Sequence, residues 1–230
     1  MTTIRADRII AITGAAGVLG SAVAQAAAEL PFKLALIDHA KHCPGPEGAF
    51  VQTGVDLTEA VQAGAAIDAV ADRLGGLDVV LNIAGGFRWE PIEGGSYETW
   101  PQLYRLNVLT AANTSRAAIP HLKRSAAGRI VNVGSAAALK AGMGMGAYAA
   151  SKAGVHALTQ ALADELKGDG VTVNAVLPSI LDTPANRADM PDADGSAWVA
   201  PKELAAVMLF LASEAASAVT GALLPVTGRV

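Results

Sequence analysis

One cysteine stands in the chain, Cys43. An intramolecular disulfide is therefore impossible, a metal cluster would find no cysteine partners, and a lone thiol without a positioned base reads as incidental. The 17 basic residues are scattered with no Lys/Arg block, and the net charge is -4. Nucleic-acid binding gains little support from that pattern. No apolar run approaches the roughly 18 residues of a spanning helix, and the longest clear one, Ala205 to Ala212, fits a buried helix. His39, His42, His121 and His156 lack metal-ligand spacing. The N-terminus, MTTIRADRIIAITG, moves straight into a strand-like run without a signal-peptide pattern, so a soluble cytoplasmic protein is expected.

What is present suits a compact core: 52% of residues are hydrophobic and only 17% charged, over 230 residues. A single domain over 1–230 follows, since α/β chains of this length form one unit. Strand-like runs alternate with helical stretches throughout, the pattern of a parallel sheet covered by helices. Strands are expected at Arg8–Thr13, Lys33–Asp38, Ala49–Thr53, Leu77–Asn82, Arg129–Gly134, Val171–Leu177 and Leu223–Val226. Helices are expected from the Gly-rich turn to about Leu30, at Glu59–Arg73, Trp100–Lys123, Ala147–Lys167 and Lys202–Ala212. A Pro-rich, acidic loop runs between Pro178 and Pro201, and no repeat or linker interrupts the series.

Chemistry is suggested first by Tyr148 and Lys152. Four residues make one helical turn, so phenol and ammonium project from the same helix face. A free tyrosine, with a pKa of about 10, is protonated at neutral pH, and a nearby ammonium favours its ionised form. With Ser135 thirteen positions upstream of Tyr148, near a strand end, the trio can protonate a carbonyl oxygen.

A second signal lies at the first strand-to-helix turn. In Thr13-Gly14-Ala15-Ala16-Gly17-Val18-Leu19-Gly20, glycines allow a tight turn and close approach of a pyrophosphate to the backbone, and the helix N-terminus favours that anion. Asp38 ends the second strand, where a carboxylate accepts hydrogen bonds from ribose hydroxyls and repels a 2'-phosphate. Ala15 and Ala16 offer no base for such a phosphate, and none directly follows Asp38, so NAD(H) is favoured over NADP(H). Asp56-Leu57 is placed to meet an adenine edge, with capping of a helix by Asp56 or Thr58 the equal alternative. Asn82-Ile83-Ala84-Gly85-Gly86 ends the fourth strand in small residues that let a ligand lie on the sheet's carboxyl edge.

Taken together, Thr13 to Gly20, Asn82 to Gly85, Asn107, Ser135, Tyr148 with Lys152, and Pro178 to Thr183 resemble the short-chain dehydrogenase/reductase family over essentially the whole chain. The resemblance implies a doubly wound Rossmann fold with a parallel seven-stranded sheet, a substrate lid at about 179–201, and hydride transfer between a nicotinamide and a carbonyl or secondary alcohol. It also implies roles. Tyr148 is the acid/base, Lys152 binds the nicotinamide ribose and lowers the Tyr148 pKa, and Ser135 polarises the substrate oxygen. Asn107 holds a water in a proton relay and Thr183 meets the nicotinamide amide. The cofactor set is Gly14, Gly17, Leu19, Gly20, Asp38, Asp56, Leu57, Asn82, Ala84, Gly85, Tyr148, Lys152, Pro178 and Thr183, with no metal. Homodimers or homotetramers through the helices near 100–123 and 147–167 are implied as well.

Two features depart from the family pattern. The middle glycine falls one place early, at Gly17, with Val18 in its usual site, and Pro178-Ser179 replaces a Pro-Gly. In the second half, Ala84 to Phe87, Gly142 to Tyr148 and Leu177 to Asp194 resemble the dihydropteridine reductases of this family, which reduce quinonoid dihydropterin and lack the Ser and Asn that this chain has at 135 and 107. A carbonyl or alcohol substrate is therefore favoured, with pterin reduction and a catalytically silent NAD-binding sensor or scaffold as alternatives. Phe87, Trp89, Met143, Met145, Met190 and Trp198 each read singly as packing, Met190 and Trp198 being the better pocket candidates because they flank the lid. His156, one turn beyond Lys152, is read as outside the chemistry, and Asp189, Asp192 and Asp194 as a solvated face or helix caps.

Overall fold

A computed structural model describes residues 7–230, and residues 1–6, which the sequence reading runs directly into the first strand, lie outside it. Seven parallel strands form one sheet: β1 Arg8–Thr13, β2 Phe32–Ile37, β3 Phe50–Gln52, β4 Val79–Asn82, β5 Arg129–Val133, β6 Thr172–Pro178 and β7 Leu223–Val226. Their order is β3-β2-β1-β4-β5-β6-β7. The chain thus winds outward from β1 in one direction and then, from β4, in the other. A crevice opens between the carboxyl ends of β1 and β4, where sheets of this kind bind ligands.

Both faces of the sheet are buried, which is why its strands read as unbroken apolar runs rather than alternating ones. In β1, Ile10 and Ile12 face one side and Ile9 and Ala11 the other, as the two-residue strand period requires. The first side is covered by α1 Val18–Ala28 and α7 Pro201–Ala212, whose Val23, Leu204 and Met208 are fully buried. The second is covered by α2 Ala60–Leu74, α4 Thr110–Leu122 and α5 Gly146–Leu166, through Ile67, Leu122 and Leu162. Helix α2 stops where Gly75, at φ 91°, takes the left-handed conformation and donates to the Ala71 carbonyl.

The long helix expected over 100–123 is three pieces. Helix α3 covers Thr99–Tyr104, a π-helical turn covers Arg105–Leu109, and α4 follows. The extra residue is accommodated because Asn107, inside the π turn, bonds to groups on two other segments. Within the expected loop after β6 lies a further short helix, α6 Pro184–Asp189, opened by Thr183 and by Pro184 at its first position. No helix among the described residues is long and apolar enough to cross a membrane.

Candidate active site

A cavity of about 1150 Å³ runs along the crevice from Asp38 to Tyr148. Its floor is the β1–α1 turn. Gly14 is left-handed at φ 65°, and a β-carbon there would lie 2.7 Å from the Ala84 amide nitrogen, so only glycine lets the two strand ends approach. A β-carbon on Gly20 would overlap the Gly14 carbonyl. Gly17 caps α1 in extended conformation, and the first bond of the helix runs from the Ser21 N–H to the Gly17 carbonyl. The N–H groups of Val18, Leu19 and Gly20 precede that bond, on a segment that lines the cavity. The shifted glycine therefore leaves a regular helix start, with Val18 half-exposed at the cavity wall.

At one end Asp38 is clamped. Its Oδ2 accepts from the Ala16 N–H (2.9 Å) and its Oδ1 from the Ala40 N–H (2.7 Å). His39 and Ala40, which the sequence reading did not single out, line the same end. Asp56 and Leu57 also line it, but the Asp56 Oδ1 accepts from both the amide and the hydroxyl of Thr58, and these bonds hold its carboxyl below the usual value. The capping alternative is not met, since α2 has Glu59 as its N-cap; the Asp56 carboxylate instead closes a turn with Thr58 ahead of the helix.

The other end is built on α5. Lys152 is buried and donates to the Val133 carbonyl (2.8 Å), with its Nζ 6.0 Å from the Tyr148 ring centroid. Burial pushes Lys152 down to about 8. Burial also pushes the Tyr148 phenol above its ordinary value, and a hydrogen bond with Ser135 draws it part of the way back. The sequence reading had Lys152 lowering Tyr148. In this structure burial is the larger cause acting on the phenol, and Ser135 is the group that lowers it.

Ser135 is placed by its neighbours. Its N–H donates to His156 Nε2 (3.3 Å), and its Oγ accepts from the Ala137 N–H (3.1 Å). His156 is buried, held below its ordinary pKa by burial and then by the Lys152 charge, and fits because Gly134 has no side chain: a β-carbon there would lie 2.5 Å from Nε2. The sequence signal for this residue was its position one turn after Lys152, on the same helix face. Asn107 donates to the Gly86 carbonyl (3.0 Å) and Ser151 Oγ (2.9 Å) and accepts from the Gly86 N–H (2.9 Å). Both its amide hydrogens are engaged, so its side chain can offer a water only an acceptor lone pair.

Residues 8–194 match the family model for short chain dehydrogenases. The chain belongs to that family. It is 30% identical to a 3-oxoacyl-[acyl-carrier-protein] reductase of Vibrio cholerae, covering 96% of each chain. It is 33% identical to a meso-2,3-butanediol dehydrogenase of Serratia marcescens, covering 96% of this chain and 94% of that one. The ligand-free aldohexose dehydrogenase of Thermoplasma acidophilum superposes with a TM-score of 0.87 at 29% identity, over 97% of this chain and 94% of that one. This short-chain dehydrogenase is accordingly an oxidoreductase of carbonyl or alcohol substrates that uses a nicotinamide cofactor.

The cavity fits such a cofactor. A glycine floor that no β-carbon could share, a helix start at its middle, a fixed carboxylate at one end and a buried cation at the other match an anionic dinucleotide. Gly14, Gly17, Leu19, Gly20, Ala84 and Gly85 all line it; a β-carbon on Gly85 would lie 2.5 Å from Asn107 Oδ1.

Three expected cofactor residues, Asn82, Pro178 and Thr183, do not line the cavity. Asn82 is buried and donates to Ser115 Oγ (3.0 Å) and Asn132 Oδ1 (2.8 Å), so it ties strands to α4 beneath the floor. Thr13, unassigned in the sequence reading, joins β1 to β4 by accepting from the Ile83 and Ala84 amides. Pro178 ends β6, and Ser179 after it bonds to Val226 and Thr227, keeping the backbone beside β7. Thr183 Oγ1 accepts from the Asn186 N–H (3.2 Å) at the start of α6. Trp198 is not a pocket residue: it is 7% exposed, and the Arg187 guanidinium lies over its ring at 5.9 Å. Arg187 also grips Asp182 by two bonds, in space left open by Gly195. Of the 179–201 segment, Leu181 reaches the cavity.

Proposed function

We propose that this chain is an NAD(H)-dependent dehydrogenase of carbonyl or secondary alcohol groups, built as one catalytic domain over 1–230 with a lid at about 179–201. The observation that carries the reading is Tyr148 one helical turn from buried Lys152, with Ser135 near enough to act on the phenol, at the end of a glycine-floored cavity. The cofactor would supply or take the hydride. Ser135 orients the substrate oxygen, and Tyr148, whose raised pKa keeps it protonated at neutral pH, gives that oxygen its proton during reduction. Lys152 keeps a positive charge beside the phenolate that results. Gly14, Gly17, Leu19, Gly20, Ala84 and Gly85 would hold the dinucleotide, and Asn107 would anchor the proton relay.

NAD(H) is favoured because Asp38 is clamped by two amides and cannot swing away from a 2'-phosphate. The raised exposure of Trp100 and Tyr104 on α3 supports a homodimer or homotetramer through α3, α4 and α5, which light scattering on the purified protein tests. The activity is tested by a NADH-linked screen of ketones, diketones, acyl thioesters and quinonoid pterin. Tyr148→Phe is expected to lower the rate by about 10² to 10⁴-fold. A variant that keeps more than about a tenth of it sinks the acid/base assignment. NADH binding with no turnover of any of these would favour a silent sensor.

A further inference from the structure

Large apolar side chains that stay exposed beside a reactive group mark a binding surface more often than a packing accident. Such side chains occur here on the segments next to Tyr148: Phe87 lines the cavity, and Trp89 and Met143 continue the same segments outside its lining. Phe87 is 54% exposed and meets the Tyr148 ring edge-on, with centroids 4.9 Å apart at 83°. Trp89 is 52% exposed yet fixed: its Nε1–H donates to the Met143 carbonyl (2.9 Å), and its ring lies so close to Gly144 that a β-carbon there would overlap the indole. The Glu90 N–H, donating to the Gly144 carbonyl (2.8 Å), ties the same two segments together. Met143 beside it is 81% exposed.

An indole held on one side by backbone and open on the other is a preorganised platform. Its rotamer entropy is spent before a ligand arrives, which favours binding of a flat apolar group. Charge on this wall is nearly absent. Residues 85–89 and 142–146 carry one charged side chain, Arg88, and it is paired with Glu90 at 3.4 Å. Lys152, the nearest buried cation, already donates to Val133. Nothing on these two segments offers an unpaired cation to a substrate carboxylate or phosphate; Glu98 and Arg105, charged side chains that also line the cavity, belong to another segment, at the start of α3 and just after it.

We propose that Phe87 and Trp89 form an aromatic wall that selects substrates carrying an uncharged ring next to the reacting carbonyl or carbinol. Trp89 is a specificity-determining residue, and Gly144 is the small residue that lets it lie flat. The inference rests on the carbonyl and alcohol dehydrogenase reading above.

The test compares kcat/KM for NADH-dependent reduction of 1-phenyl-1,2-propanedione and 2,3-butanedione in the wild type, Trp89→Ala and Trp89→Phe. The wild type is expected to prefer the phenyl-bearing diketone by tenfold or more, Trp89→Ala to bring that ratio below threefold, and Trp89→Phe to keep most of it. Gly144→Val, which displaces the indole and also strains a left-handed backbone position (φ 72°), should lower the ratio in the same direction. Turnover of both diketones with a ratio near one in the wild type, or an unchanged ratio in Trp89→Ala, overturns the aromatic wall and leaves the dehydrogenase reading standing. Failure of both diketones together with every carbonyl and alcohol in the wider screen, despite NADH binding, overturns the two together.

Discussion

At the Asp38 end of the cavity the groups that face a ligand are main-chain amides and a carboxylate held by two of them, whereas beside Tyr148 the lining includes the Phe87 side chain, with the exposed Trp89 and Met143 outside the lining on the neighbouring segments. The first end is fixed by where glycines let strands and helix approach. Its geometry is a property of the fold. The second is written in side chains on the segments after β4 and β5, which can change without disturbing the sheet. Between them stand buried Lys152 and half-buried Tyr148 on α5. The difference teaches that the seat for the dinucleotide is set largely by backbone, while the proposed substrate wall rests on a few side chains that the backbone need only tolerate.

The largest blow to this division would fall at its middle. Lys152→Met should cost about 10² to 10³-fold in kcat, read by steady-state NADH oxidation, since it removes the charge that stabilises a Tyr148 phenolate. The same variant sharpens the pH dependence. The folded pKa of Lys152, about 8, lies below an unfolded value of about 10.4, so the unfolded chain binds this proton more tightly in between. The penalty of burying the cation is full below pH 8 and relieved above it. The melting temperature of the wild type relative to Lys152→Met should therefore rise between about pH 8 and 10.

At the backbone-made end, Gly20→Ala forces the turn to move and should weaken NADH binding by about 10²-fold, measured by fluorescence titration. Asp38→Ala keeps the turn's glycines but frees the Ala16 and Ala40 amides, and should raise the NADPH-to-NADH ratio of kcat/KM by about 10 to 10²-fold. A wild type that binds NADPH more tightly than NADH would overturn the reading of that residue. Smallest is His156→Leu. Losing one buried acceptor, worth about 1 kcal/mol, should lower kcat about fivefold with little change in the KM for NADH. In a Ser135→Ala background the same substitution should have no further effect on kcat, because His156 acts through Ser135.

The order of elements was legible because strands buried on both faces leave uninterrupted apolar runs, and those runs mark β1, β4 and β6 to within two residues. The break at Arg105–Leu109 was not legible, since it depends on Asn107 reaching Gly86 and Ser151, which lie 21 and 44 positions away. Nor was α6, a six-residue helix in a stretch rich in proline and acid. The site's residues were recognisable as chemical types, but not their partners. Asn82 was grouped with the ligand-facing residues because it ends a strand there, and only its bonds to Ser115 and Asn132 reveal a buried tie. Trp198 carried no sign of lying under Arg187, and His156 no sign of the space left by Gly134.

Six residues are too few to persist as a helix unaided, so the shape of α6 depends on the exposed Asp182–Arg187 pair and on the Trp198 ring below it. Exposed ion pairs are screened by electrolyte, while the buried Lys152 is screened far less. Added salt is thus a perturbant that reaches the proposed lid and spares the proton-handling groups. Steps limited by lid movement should respond to potassium chloride, and steps limited by hydride or proton transfer should not.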